Sequence, residues 1–200
     1  MSRSIRMAGT ALLIIDVQEA AVAAGPYAVD AVLANISDLL SAARGSGVPV
    51  VFIQHDGRPG EAEEPHTPGW EIYAGLSPGL DEPIIRKRFN SAFRKTDLHA
   101  RLQSMGADTL VVTGIQTEYC VDTTVRVAFE LGYSVVVPEM ANTTFDNGSV
   151  SAREIIQMVN HRIWADRFAS VLPVEAVVRG WREASAAPAL GESAARTAAD

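Results

Sequence analysis

Apolar residues in this chain alternate between short continuous runs and stretches spaced three and four apart. Residues 11–15 (ALLII) form an unbroken apolar run, as expected of a strand covered on both faces, and they end at Asp16. Val29, Val32, Leu33, Ile36, Leu39, Leu40 and Ala43 follow at helical spacing, with Asp30 near the start and Gly45 and Gly47 near the stop. Residues 48–53 give a second strand. Residues 109–112 are apolar and β-branched, and the turn Thr113-Gly114-Ile115-Gln116 follows them. Val121, Val125, Ala128 and Phe129 then share one helical face, Gly132 stops that helix, and residues 133–137 form another strand. Each strand–helix–strand unit predicts a parallel crossover.

Between these units the pattern is weaker. Residues 56–82 have no clean period and are broken by Pro59, Pro65, Pro68 and Pro78. A loop this long in a compact domain is usually functional, and Trp70, Ile72 and Tyr73 predict that it packs as a pocket wall or lid. Residues 83–85 lead a short strand into Arg86, Lys87 and Arg88; Thr96 caps a helix through Leu98 and Leu102, and Gly106 ends it. Beyond a loop at 141–148, Ile155, Ile156, Val159 and Ile163 mark a longer helix, 171–174 a last strand and 175–181 a short last helix. The alternation predicts an α/β fold, a three-layer α/β/α sandwich around a mostly parallel sheet of six strands. Residues 8–182 make the domain, and the Ala- and Ser-rich stretch 183–200 is expected to be a poorly ordered tail.

Composition narrows the function classes. The 200 residues are 48% hydrophobic and 20% charged, with a net charge of −7, which argues against nucleic acid as a partner. No apolar run reaches membrane-spanning length, and the N-terminal apolar stretch runs into Asp16 without a small-residue cleavage site. A single cysteine excludes an internal disulfide and a Cys-rich metal site, and fits a cytoplasmic, reducing compartment.

That cysteine, Cys120, lies just past a strand end and in the first turn of the next helix. With Thr117 as N-cap it takes the third helical position, where free N–H groups favour a thiolate and predict a pKa below the usual value of about 8.5. A lone cysteine is more often a small buried hydrophobe. Two other strands also end in chemistry, at Asp16 and Lys87, and open parallel sheets bind ligands beyond their C-terminal strand ends. An Asp after a strand is otherwise a common cap, and a Lys among arginines a solvated face.

Three motifs carry a resemblance: IIDVQ at 14–18, KRFNSAF at 87–93 and TGIQTEYCVDTT at 113–124. In this order they resemble the isochorismatase-like cysteine hydrolases, which include nicotinamidases, N-carbamoylsarcosine amidohydrolase, streptothricin hydrolase and ureidoacrylate hydrolases. QHDG, PGWEI and the TTFD at 143–146 look most like the streptothricin-hydrolase branch. The resemblance implies a catalytic set of Asp16, Lys87 and Cys120. It also implies a cis peptide between Ile115 and Gln116, and an oxyanion hole from the Gln116 and Cys120 N–H groups. The implied reaction is hydrolysis of a C–N bond in a small-molecule amide through a thioester. Family members that cleave the vinyl ether of isochorismate typically lack the cysteine.

Nicotinamidases carry a metal on an Asp-x-His after the second strand; here the stretch reads Gln54-His55-Asp56-Gly57, so no metal and no cofactor is expected. His55 and His66 are read as loop histidines in preference to ligands. Gln18, Trp70, Phe93 and Tyr119 are expected to contact substrate by their nearness to the three motifs, although Trp70 and Phe93 suit the core equally. A homodimer or larger homo-oligomer is expected. The competing reading is a catalytically silent or redox-sensing protein of the same fold. A nucleotide binder fits less well, because no Gly-rich phosphate loop follows the first strand.

Overall fold

The computed structural model describes residues 9–186. Among them seven strands form one sheet: β1 (Thr10–Ile15), β2 (Val50–His55), β3 (Ile84–Lys87), β4 (Thr109–Ile115), β5 (Ser134–Pro138), β6 (Asn142–Thr143) and β7 (Ser170–Leu172). The order is β3-β2-β1-β4-β5-β7, with β6 paired to the end of β4, and every pairing is parallel. The sheet thus has one strand more than the six expected. Two residues are too short for β6 to leave a hydrophobic period in the sequence.

The helices divide between two faces because strand side chains alternate. Leu12, Ile14, Val50 and Phe52 meet α2 (Val29–Ser46) and α6 (Val174–Ala186), whose Val32, Ile36, Leu39, Val177 and Trp181 fill that layer. Ala11, Leu13, Ile15, Val51 and Ile53 meet α3 (Leu98–Ser104), α4 (Asp122–Glu130) and α5 (Ala152–Met158). A short α1 (Glu19–Ala23) buries no residue and packs on a 3-10 turn at Pro68–Trp70.

Several boundaries differ from the sequence reading. Gly45 lies within α2, and Gly47, at φ 72°, is the left-handed residue that ends it. Phe129 faces outward and sets its ring edge-on to Phe168. The final helix begins at Val174, after Pro173, and continues to Ala186, so positions 183–186 of the expected tail are helical. The rest of that stretch, 187–200, and position 8 lie outside the described residues.

The sheet order reverses between β1 and β4, and this crossover places the ends of both strands side by side. Ile15 is in register with Gly114. Gly114 has φ 125°, and a Cβ there would run into the Ile15 carbonyl oxygen. Glycine is therefore required for the two strand ends to approach. Gly114→Ala should destabilise the fold by about 3 kcal/mol or more, through backbone strain and overpacking. A urea-unfolding midpoint equal to that of the parent protein would refute this close-approach argument.

Candidate active site

The C-terminal edge of the sheet gathers Asp16, Lys87 and Cys120. Asp16 immediately follows β1, Lys87 ends β3, and Cys120 sits in a π-helical turn at Thr117–Val121 between β4 and α4. β3 shows why the lysine points inward. Its burial alternates, so Ile85 and Lys87 are buried while Ile84 and Arg86 face out. Lys87 Nζ donates to Asp16 Oδ2 at 2.5 Å and to Cys120 Sγ at 3.2 Å, and lies 3.5 Å from His55 Nδ1. Asp16 and Lys87 are only 5% and 2% exposed, so this is a buried ion pair. Asp16 Oδ1 is buried as well and has no hydrogen-bond partner. The Asp16 backbone has φ 51°, a left-handed conformation that Asp tolerates better than most residues and that sites of function often hold. The Ile115–Gln116 peptide is cis.

Burial pushes the Cys120 thiol up to about 12; the Asp16 carboxylate adds to the rise and Lys87 opposes it. The sequence predicted the opposite direction. Two features account for the difference. Thr117 is not the cap: its hydroxyl donates to Asn142 Oδ1, and the residue before the turn, Gln116, makes no side-chain cap. The thiol is also enclosed, and desolvation of a thiolate outweighs its neighbouring cation. Burial also acts to lower the Lys87 pKa, but Asp16 and then Cys120 outweigh it, so the net shift is upward and the ammonium persists. His55 is lowered, by burial first and by Lys87 next, which leaves its imidazole neutral beside the ion pair.

A cavity of about 250 Å³ opens over these groups, lined by Asp16 and Cys120 together with His55, Glu63, Asn90, Gln116 and Tyr119. Gln116 and Tyr119 are where the sequence reading put them. Three other expected pocket residues hold the walls instead. Gln18 is fully buried; its amide donates to the carbonyls of His55 and Trp70 and accepts from the His55 N–H. It clamps the long loop to the ends of β1 and β2. Trp70 donates its indole N–H to Asp56 and lies under the Arg86 guanidinium. Phe93 stacks on Tyr133 in the core layer. The sequence reading did not single out Glu63 or Asn90. Asn90 lies within the KRFNSAF motif, three residues past Lys87, and His55 is in register with Lys87. Asn90 was findable from its motif, and His55, read as a loop histidine, ends β2 and was findable at the site from topology; Glu63, within an aperiodic loop, had no such signal.

An isochorismatase domain model matches residues 10–175. The chain belongs to the isochorismatase family. It is 43% identical over 138 residues to a streptothricin hydrolase from Streptomyces noursei, a match covering 68% of this chain and 50% of that protein. The chain thus spans about half the length of the streptothricin hydrolases it matches. It is 29% identical over 183 residues to a ureidoacrylate amidohydrolase from Pseudomonas syringae, covering 72% of this chain and 74% of the relative. A crystal structure of an isochorismatase from Pseudomonas putida KT2440 superposes with a TM-score of 0.83 at 33% identity, covering 88% of this chain and 94% of the other. The family is one of hydrolases, and the amidohydrolase relative places amide cleavage among its reactions.

The family's metal-binding variant does not fit the residues present. Asp56 accepts two hydrogen bonds from Arg86 and one from Trp70, and His66 lies against the Trp70 ring. His55 faces Lys87, a cation. Among the described residues no three His, Cys, Asp or Glu side chains are grouped to hold a metal ion. No helix among them is long and apolar enough to cross a membrane.

The raised thiol pKa has a direct consequence for reactivity. Iodoacetamide labelling of Cys120 should be slow at neutral pH and keep rising with pH, with no plateau below a pH of about 10, because only the thiolate reacts. Lys87→Met, by removing the one neighbouring cation, should slow labelling further at every pH. A plateau near neutral pH would mean that the thiolate is already formed at rest.

Proposed function

We propose that this protein is a cysteine amidohydrolase that cleaves a C–N bond of a small molecule through a thioester on Cys120. The observation that carries the reading is the single buried ammonium of Lys87, bonded at once to Asp16 and to the Cys120 sulfur beneath a small cavity. A carboxylate, a cation and a thiol so placed supply a proton acceptor, a charge stabiliser and a nucleophile.

Each group has a defined place in the cycle. The Cys120 sulfur attacks the carbonyl carbon as its proton passes to Asp16. Because the thiol is held protonated at rest, transfer and attack occur together. The backbone N–H groups of Gln116 and Cys120 receive the oxyanion. Asp16 returns the proton to the leaving nitrogen, the C–N bond breaks, and the amine departs. Water then adds to the thioester as Asp16 takes its proton; the C–S bond breaks, and the proton returns to sulfur. One amide and one water give one carboxylic acid and one amine. Lys87 keeps its charge throughout and offsets each anion in turn. Tyr119, 44% exposed, borders the mouth of the cavity and contacts the substrate.

The redox-sensing alternative fits less well, because sensor cysteines are low-pKa thiolates and this thiol is shifted upward. The same reading puts the enzyme in the cytoplasm, where a single thiol stays reduced. It also includes self-association: Phe129, Leu131, Met140 and Met158 are large apolar side chains left exposed on the described surface. Light scattering should give a mass of twice the chain or more, and a monomer at working concentration would remove that part of the reading.

A screen of small amides, lactams and carbamoyl compounds should find a substrate, with the streptothricin lactam as the first to try. Cys120→Ala should abolish turnover without loss of folding. Asp16→Asn should cost at least about 10²-fold in kcat, as for loss of a general acid–base, and Lys87→Met should lower the rate at neutral pH. Full activity in Cys120→Ala would make the cysteine structural and end this reading.

A further inference from the structure

Glu63 is a carboxylate in the cavity wall with no side-chain partner. It lines the same space as Asp16 and Cys120, yet its carboxylate makes no hydrogen bond or ion pair with any described residue. The carboxylates nearest to it in the loop are engaged. Asp56 pairs with Arg86, Glu61 accepts from the Arg58 N–H at 2.6 Å, and Glu64 accepts from the Gly60 N–H at 2.8 Å.

The backbone that carries Glu63 is fixed on both sides. Gly57 donates to the Glu63 carbonyl at 2.8 Å, and a Cβ on Gly57 would sit 2.8 Å from that carbonyl group. A Cβ on Gly69 would strike the Ala62 carbonyl oxygen. Two glycines thus let the loop close tightly around residues 62–64, and the half-buried Glu63 lines the cavity from there. Burial raises the Glu63 pKa first, and Asp16 raises it further, while Lys87 and Glu61 act in opposite senses as weaker influences. Lys87 is committed to Asp16 and Cys120, and His55 is held neutral. The cavity therefore presents two carboxylates against one ammonium, and Glu63 lacks a counter-charge.

We propose that Glu63 is a specificity-determining residue that selects amides bearing a cationic amine close to the scissile carbonyl. The proposal rests on the reading of this cavity as the substrate site of a cysteine amidohydrolase. A substrate ammonium supplies the partner that the fold withholds, and the gain is larger in a half-buried site than in water.

The test uses two matched reagents that alkylate Cys120, N-(2-aminoethyl)chloroacetamide and N-(2-hydroxyethyl)chloroacetamide, near neutral pH. The parent protein should react about tenfold faster with the cationic reagent, the effect of one partly screened ion pair. Glu63→Gln should bring the ratio close to that of a free thiol in solution, whereas Glu61→Gln should leave it in place. A parent protein without preference, or a preference that survives Glu63→Gln, overturns the proposal. Loss of the preference in Glu61→Gln as well also overturns it, since the effect would then be the net charge of the loop. Amide hydrolysis is measured separately. If the labelling preference depends on Glu63 while no amide is hydrolysed, Glu63 selects cations and the hydrolase reading fails.

Discussion

The site depends on one buried ammonium. Moving Lys87 out of water costs several kcal/mol, on the order of the effective penalty for any buried ion, and the cost is met only if its bonds are short and well placed. Asp16 and Cys120 meet it from two other strand ends. This arrangement requires β1, β3 and β4 to finish at the same edge, which a parallel sheet provides. The required glycine at 114 is part of the same constraint. Without close contact between the ends of β1 and β4, the carboxylate and the sulfur would not share one cation.

The electrostatics of this cluster favour a neutral thiol at rest. Desolvation and the Asp16 charge together exceed the help from Lys87, so the resting state resembles a thiol beside an ion pair more than a thiolate–ammonium pair. That balance suits a proton acceptor used only during the reaction. Asp16 is already oriented by Lys87 through Oδ2, and its Oδ1 is left without a partner. A carboxylate with one oxygen committed and one free can take a proton without losing its position. The left-handed backbone at Asp16 is the local strain that turns it there, a conformation that costs of order 1–3 kcal/mol and persists only where packing enforces it.

How much was legible in the sequence follows from which interactions are local. Strands β1, β2, β4 and β5 were legible because burial on both faces leaves continuous apolar runs. The gathering of Asp16, Lys87 and Cys120 was legible because each stands at or shortly past the C-terminal end of a strand and the motif order resembles a known family. Lys87 was separable from Arg86 by the KRFNSAF motif; the two-residue alternation that turns it inward is barely displayed by the four residues of β3. The cap at Thr117 was misread because the local signal for capping is identical whether the hydroxyl serves its own helix or, as here, a neighbouring strand. Gln18 was placed at the substrate, and Trp70 and Phe93 were left between pocket and core, for a related reason. Nearness in sequence to a reactive residue says nothing about which way a side chain turns, and Gln18 turns to three backbone groups of other segments.

The long loop is where sequence reading has least purchase and where the fold adds most. Its aperiodic, Pro- and Gly-broken stretch has no lattice of repeated hydrogen bonds, so its shape is set by individual contacts. Tyr73 N–H bonds to the Val17 carbonyl, Glu19 N–H bonds to the Glu71 carbonyl, and the Gln18 amide bridges to Trp70. These bonds attach the loop directly to the segment that follows Asp16. Asp56 and Arg86 close its other side around the Trp70 ring. A wall tied at both edges to the strands that carry the reactive groups keeps its distance from them fixed. Under the proposed amidohydrolase reading, groups on that wall would discriminate between substrates without the loop having to move, and substitutions within it would change what is bound while leaving the buried ion pair intact.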